Sequence, residues 1–292
     1  MEYQMKIICD WGSSNLRAYF VKNGTISETY ESDLGLKKIS GDKDQFTCEL
    51  KRIITTFGCD TNCAIQLSGM VGSKNGYLDA GYAQTPINAA DFSSHFIKVP
   101  NFENAIIYSG LKHCHEDTTM DVMRGEEVQI FGALAIDNEA KIICLPGTHS
   151  KWAQIKNQNI VAFKTTMTGD LFMALSQQSI FKEQITDKTF DEHSFVQGCK
   201  LAYEGNRLDD LFKLRSAYIF SKISSSGFHS YLSGFLIANE IRAHNIEGKV
   251  HLCASDTLLK PYSIALKLKG IESVLIKSDQ ATIKGHLKLS EK

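Results

Sequence analysis

The sequence predicts an α/β protein of two similar lobes, each a mixed β-sheet with flanking helices, with a cleft between them. A repeated segment, an element pattern that restarts midway and the lack of any linker predict it. Lys6–Phe20 (KIICDWGSSNLRAYF) and Lys141–Ile155 (KIICLPGTHSKWAQI) align without gaps and share 6 of 15 residues, where average residue usage gives about one. The shared residues are the four that enter the strand, the turn glycines Gly12 and Gly147, and the alanines Ala18 and Ala153. Two copies 135 residues apart are too widely spaced for a solenoid. They divide the 292 residues into an N-terminal lobe over 1–138 and a C-terminal lobe over 139–292.

In the first lobe, strands are expected at 5–10, 15–22 and 25–32, broken by Gly12 and by the hairpin signal Lys22-Asn23-Gly24. A helix over 43–57, an apolar strand at 63–68 and a short strand at 105–110 follow. Apolar residues at 122, 123, 128, 130, 131, 134 and 135 fall mostly on one helical face, so Asp121 reads as the start of a helix. The second lobe restarts the meander at 141–166, with Asn157–Asn159 as its hairpin turn. Helices are expected at 170–178, 194–204, 208–223 and 229–244. KVHLCAS then reads as a strand, before a helix over 257–269, a strand near 273–277 and a terminal helix. With four prolines and no low-complexity stretch, the halves are expected to pack closely.

Composition narrows the function. Hydrophobic residues make up 43% and charged residues 22%, and 32 basic against 33 acidic residues give a net charge of −1. That balance supplies no electrostatic reason for nucleic acid or an anionic membrane as partner. The start, MEYQMKIICD, has no apolar stretch of signal-peptide length, and the longest apolar runs fall far short of a membrane span. The reading is a cytoplasmic protein. None of the eight cysteines forms Cys-x-x-Cys, and Cys9, Cys144 and Cys253 lie in or beside apolar runs, as small hydrophobes do. His113-Cys114-His115 lacks the spacing of a zinc site and reads first as a polar loop, with a metal as the lesser alternative.

The turns carry the chemistry. Asp10-Trp11-Gly12-Ser13-Ser14 ends a strand in a carboxylate and follows it with a glycine bend and two hydroxyls. Such a turn makes a nest for phosphate oxygens. Asp10 can hold a hydrated Mg²⁺, which takes one or two carboxylates plus phosphate. Pro146-Gly147-Thr148-His149-Ser150-Lys151 repeats the glycine and hydroxyls and adds a lysine. Singly, each reads as well as a polar β-turn; as a pair they read as a clamp on polyphosphate. No Gly-x-x-x-x-Gly-Lys-Ser/Thr and no Gly-x-Gly occurs, which argues against P-loop and Rossmann sites.

The duplicated hairpin resembles the phosphate loops of the actin, hexokinase and heat-shock-protein superfamily of ATP-dependent phosphotransferases. More closely, DWGSSNLRA (10–18), GMVGSKNGY (69–77), DVMRGEEVQIFGA (121–133), LPGTHSKW (145–152), TTMTGDLF (165–172) and SGFLIANEI (233–241) resemble the motifs of the 2-dehydro-3-deoxygalactonokinase family. They stand in that family's order over most of the chain, and MRGEE and PGTHSKW are the most specific of them. The resemblance implies lobes of ribonuclease H-like (actin-like ATPase) type, with ATP and Mg²⁺ as cofactors. It implies transfer of the γ-phosphate to the 6-hydroxyl of the sugar acid 2-dehydro-3-deoxy-D-galactonate, in galactonate breakdown.

It also implies roles. Gly12, Ser13, Ser14, Gly147, Thr148, His149 and Lys151 would meet the phosphates. Ala254 and Ser255 stand at the adenosine turn, where the family usually has Gly-Ser and a β-carbon can crowd the nucleotide. Gly69, Met70, Val71, Gly72 and Ser73 would wall the acceptor pocket, the duller reading being a strand-to-loop exit. Arg17 and Arg124 would orient the acceptor carboxylate, since a guanidinium meets one bidentately; either can instead be a surface cation. Asp121 is the chosen base, with Asp10 beside it on the metal. An N-cap role for Asp121 is equally predicted and compatible, and Asp170 is the reserve. Glu126 and Glu127 diverge by about 100° on a helix, so one is expected to be solvated and the other to orient Arg124 or a pocket hydroxyl. Met167 and Phe172 are expected in the core. The competing readings are an ATPase or regulator without a sugar acceptor, and a scaffold that keeps only the fold. The oligomeric state is open, a homodimer included.

Overall fold

A computed structural model of the chain describes residues 5–59, 63–244 and 246–291; the first four residues of the expected run into a strand lie outside them. β1 (Met5–Trp11), β2 (Leu16–Lys22) and β3 (Thr25–Ser32) form an antiparallel meander. Asn23 and Gly24 both take positive φ, 51° and 77°, the twist that a two-residue hairpin needs. β1 is buried over almost its whole length, as a central strand covered on both faces must be. A short helix α1 (Leu36–Ile39) precedes α2 (Lys43–Thr56), whose N-cap Asp42 accepts the backbone N–H groups of Asp44 and Gln45.

β4 (Ala64–Gly69) then runs parallel to β1. After it come β5 (Tyr82–Gln84), α3 (Ala89–Phe92), β6 (Phe96–Lys98), β7 (Ala105–Tyr108), β8 (Gly110–Cys114), β9 (Met120–Met123) and α4 (Glu126–Ile136). The strand expected at 105–110 is therefore two, parted at Ser109 into different sheets. The main sheet has the order β3-β2-β1-β4-β7-β6, and β5-β8-β9 forms a small second one.

The later elements are β10 (Ile142–Leu145), β11 (Ser150–Lys156), β12 (Asn159–Thr166), α5 (Thr168–Gln178), α6 (Glu192–Tyr203) and α7 (Phe212–Ile219). They continue with α8 (Phe228–Arg242), β13 (Val250–Ala254), α9 (Asp256–Leu268), β14 (Ser273–Lys277) and α10 (Ser278–Leu289). The helix expected over 208–223 is a 3₁₀ turn, Leu208–Asp210, followed by the shorter α7. The sheet has the order β12-β11-β10-β13-β14. Place for place this is the order β3-β2-β1-β4-β7, and in both the last three strands run parallel. The repeat seen in the residues is a repeat of topology.

The chain falls into two compact units, residues 1–139, 154–163 and 278–292 in one and 140–153 and 164–277 in the other. The first thus takes back two later stretches beyond the expected lobe of 1–138. Ile160 pairs with Ile87, and α10 lies on α4 so closely that a β-carbon on Gly285 would meet the Val128 carbonyl oxygen at 2.0 Å. In this unit Ile7, Cys9 and Trp11 pack with Phe46, Leu50 and Ile53 of α2, while Ile8, Tyr19 and Val21 on the other face pack with Ile283 of α10. The second unit has its own core around Phe195, Phe228, Leu232, Phe235, Leu252 and Leu266. No helix among the described residues is long and apolar enough to cross a membrane.

Candidate active site

In the first unit, the C-terminal ends of β1 and β4 and the turn before α4 converge. Gly69 (φ 91°) and Gly125 (φ 102°) take backbone conformations that side chains rarely adopt. A β-carbon on Gly69 would stand 2.7 Å from the Trp11 carbonyl oxygen, and one on Gly125 would stand 3.1 Å from the Gly69 Cα. Bare backbone at both positions lets the three segments close up around Asp10. Its register partners are Arg17 on β2 and Ser68 on β4. Burial pushes the Asp10 carboxyl up to about 6; the Glu126 charge adds to the rise and Arg17 opposes it. Arg17 itself lies half exposed, its Nε 3.4 Å from the Glu31 carboxylate.

Burial gives the adjacent glutamates different environments. Glu127 is fully buried, and both its oxygens accept the Gly125 N–H, at 2.7 and 2.9 Å. Its carboxyl is pushed up to about 8, by burial first and by Glu126 second. Glu126 is half-buried, and its Oε2 accepts the Arg124 backbone N–H at 3.0 Å. Arg124 is 8% exposed, stacks its guanidinium 4.3 Å over the Tyr82 ring and donates from Nη2 to the Gly81 carbonyl. Its Nε and Nη1 are buried without a hydrogen-bond partner. Nη1 lies beside Gly72, where an added β-carbon would approach it to 3.1 Å. Gly72 closes the 3₁₀ turn Met70–Gly72, with Val71 in the core and Ser73 bonding back to the Met70 carbonyl at 2.8 Å.

Asp121 is not at a helix start. It lies in β9 opposite His113 of β8, accepts the Val122 N–H at 3.0 Å and stands 3.6 Å from His115 Nε2. The reason is pairing: β9 lies antiparallel to β8 with Met123 buried opposite Leu111, and α4 begins only at Glu126. His113 of the His-Cys-His run meets Thr85 Oγ1 at 2.7 Å.

The first glycine turn is pinned from below. Gly12 N–H donates to the Asn15 carbonyl, while the Gly12 and Ser13 carbonyls accept the N–H groups of Leu36 and Lys37. The Ser13 and Ser14 side chains stay exposed. The second turn is built within the second unit. Asp170 N–H donates to the Thr148 carbonyl at 3.0 Å, and Gly169 packs on the Gly147 carbonyl, which an added β-carbon would reach at 2.5 Å. His149 Nε2 lies 3.8 Å from the Asp170 carboxylate. Lys151 is 4% exposed and donates from Nζ to the His149 carbonyl at 2.8 Å. Gly147 needs no left-handed backbone, and a β-carbon there would meet nothing within 4 Å. The fold does not demand glycine at this position; glycine leaves the backbone of the turn uncovered.

Gly147 also lines a cavity of about 670 Å³ in the second unit, with Phe172, His229, Asp256, Thr257 and Tyr262 among its walls. Ala254 does not line it: its methyl is 2% exposed within the core. Ser255 occupies the N-cap position of α9, its Oγ 2.9 Å from Thr257 Oγ1. One core expectation changes: Met167 is 59% exposed, whereas Phe172 packs against the core of the second unit and also lines the cavity. No sequence motif singles out Asp256, His229 and Tyr262; α8 and α9 bring them together only in three dimensions.

A sequence profile of the 2-keto-3-deoxy-galactonokinase family matches residues 10–289. The 2-dehydro-3-deoxygalactonokinase of Escherichia coli (strain K12) is 28% identical over 282 residues, covering 94% of each chain. A crystal structure from Sinorhizobium meliloti, provisionally described as a 2-dehydro-3-deoxygalactonokinase, superposes with a TM-score of 0.89 at 25% identity over 98% of each chain. An activator of 2-hydroxyisocaproyl-CoA dehydratase from Clostridium difficile matches with a TM-score of 0.52 at 12% identity, over 97% of this chain and 93% of its own, which speaks to the fold alone.

Proposed function

This chain belongs to the 2-keto-3-deoxy-galactonokinase family, and on that premise we propose that it transfers the γ-phosphate of ATP to the 6-hydroxyl of 2-dehydro-3-deoxy-D-galactonate, in galactonate breakdown. The observation that carries the reading is Arg124, whose guanidinium keeps Nε and Nη1 buried and without a partner beside Gly72. Burying donors unsatisfied costs about 1–3 kcal/mol each, more for a charged group. A site that keeps them suits an anionic acceptor whose carboxylate takes both. Gly69–Ser73 forms the wall beside it. An ATPase without an acceptor has no use for those donors.

The remaining roles follow from chemistry. Asp10 and Glu126 offer oxygen donors only, and the Asp10 carboxyl is raised by burial first and by the neighbouring Glu126 charge second. That set suits a hard cation, so Asp10 would hold Mg²⁺ through water, and the ion would supply neutralisation of phosphate charge. We assign the base to Glu126 instead of Asp121. Glu126 opens α4 next to Asp10 and is partly open to solvent, whereas Asp121 is engaged in the small sheet. A carboxylate so placed orients the acceptor hydroxyl and takes its proton as the phosphoryl group transfers. Gly12, Ser13 and Ser14 on one hairpin and Gly147, Thr148, His149 and Lys151 on the other are the proposed phosphate contacts. The adenosine is assigned to the cavity walled by Phe172 and His229, next to Ser255.

A coupled ADP-release assay against 2-keto-3-deoxy sugar acids and neutral sugars tests this. Turnover is expected with the acids and not with the neutral sugars. Arg124→Ala should raise the acceptor KM by about a hundredfold, as loss of a bidentate charge-assisted pair does, and leave the ATP KM within about threefold. Equal turnover of neutral sugars, or an unmoved acceptor KM, would overturn the reading.

A further inference from the structure

Behind the second turn runs a line of buried polar side chains that the proposed chemistry does not use. Glu240, on α8, is 5% exposed. Its Oε1 accepts the Trp152 indole N–H at 2.7 Å and its Oε2 accepts the Tyr262 hydroxyl at 2.7 Å. The Tyr262 oxygen is also 3.1 Å from Ser150 Oγ. The tyrosine has spent its one hydrogen on Glu240, so Ser150 is the donor there. Ser150 Oγ in turn accepts the Gly147 backbone N–H at 3.5 Å. The donors therefore all point one way: from Gly147 to Ser150, to Tyr262, to Glu240. Aligned chains of this kind polarise and stiffen one another in a low-dielectric interior.

Two further facts give the line a purpose beyond packing. Burial raises the Glu240 carboxyl, and side-chain hydrogen bonds from Thr168, Trp152 and Tyr262 oppose that rise. Thr168 immediately precedes Gly169, which packs on the Gly147 carbonyl. Glu240 thus grips both segments that frame the turn. A buried carboxylate is also a poor way to stabilise a core, since apolar residues of the same volume generally do as well or better.

We propose that Glu240 is a positioning residue for the phosphates of the nucleotide, acting through Tyr262 and Ser150 to hold the turn at 147–150 in its receiving geometry. The inference rests on the reading of that turn as a phosphate site. It makes ATP affinity sensitive to one hydroxyl and insensitive to another hydrogen bond made by the same carboxylate.

The test measures the ATP dissociation constant by calorimetry on the full chain, with steady-state KM values for ATP and acceptor beside it. Tyr262→Phe keeps the ring and removes the connecting hydroxyl; it should weaken ATP binding about tenfold, with the acceptor KM unmoved. Trp152→Phe breaks the other bond to Glu240 and should lower the melting temperature comparably while ATP affinity stays that of the unmodified chain. Glu240→Gln can still accept from Tyr262 and should stay within about threefold of that affinity, whereas Glu240→Ala should join Tyr262→Phe. If Glu240→Ala fails to fold, the tyrosine and tryptophan variants decide the matter. Unaltered ATP binding by Tyr262→Phe, or an equal loss in Trp152→Phe, would overturn the proposal alone. If the unmodified chain binds no ATP, the reading of the turn falls first.

Discussion

Glu126, Glu127 and Arg124 stand within four consecutive residues, and burial alone separates their tasks. Glu127, at 0% exposure with both oxygens on the Gly125 N–H, fastens the turn, while Glu126 keeps a face toward solvent. Glu126→Gln should therefore lower kcat by about a hundredfold or more, as removing a general base does, and Asp121→Asn should change it by less than about threefold, as expected of a residue away from the chemistry. Steady-state kinetics on both variants checks this, and the reverse ranking would return the base to Asp121. The motif MRGEE was legible in the sequence, and so was the divergence of its two glutamates. What could not be read was where α4 begins, because Asp121-Val122-Met123 fits a helical face and an alternating strand equally well. The pairing with β8 decides between them, and that contact lies across a hairpin.

At the scale of elements, α10 is the least expected neighbour. It packs on α4 through small residues at positions where side chains would collide: a β-carbon on Gly132 would reach the Ala281 carbonyl oxygen at 1.7 Å, and one on Gly285 the Val128 carbonyl oxygen at 2.0 Å. Gly285→Ala should destabilise the protein by about 2 kcal/mol or more, since backbone must move to admit the methyl. Denaturant melts would show it as a lower midpoint; an unchanged midpoint would mean that the two helices part easily. Because α4 carries Glu126, the same variant should also lower turnover at temperatures where the fold persists. The sequence disclosed α10 as a helix, and its glycine reads there only as a weak helix former. The partner was invisible, since close approach between helices 150 residues apart leaves no local pattern.

Across the whole molecule, duplication is the organising fact. The orders β3-β2-β1-β4-β7 and β12-β11-β10-β13-β14 repeat one design, and both meanders were legible from shared residues and turn signals. The division of the chain was less so. Cutting after residue 138 leaves the first unit without Ile160 to pair with Ile87 and without Ile283 to cover Ile8, Tyr19 and Val21. A fragment of residues 1–138 should therefore aggregate or melt without a cooperative transition; a soluble fragment with a sharp thermal transition would show that the returning segments are dispensable. The placement of α10 has a last consequence for how the protein is made. Chains usually fold from the N-terminus as they leave the ribosome, yet here the final helix belongs to the half that emerges first. The half encoded second has all its residues by Lys277, so it can close while its elder sibling still waits with an apolar face uncovered. Loss of α10 would then injure the portion translated earliest.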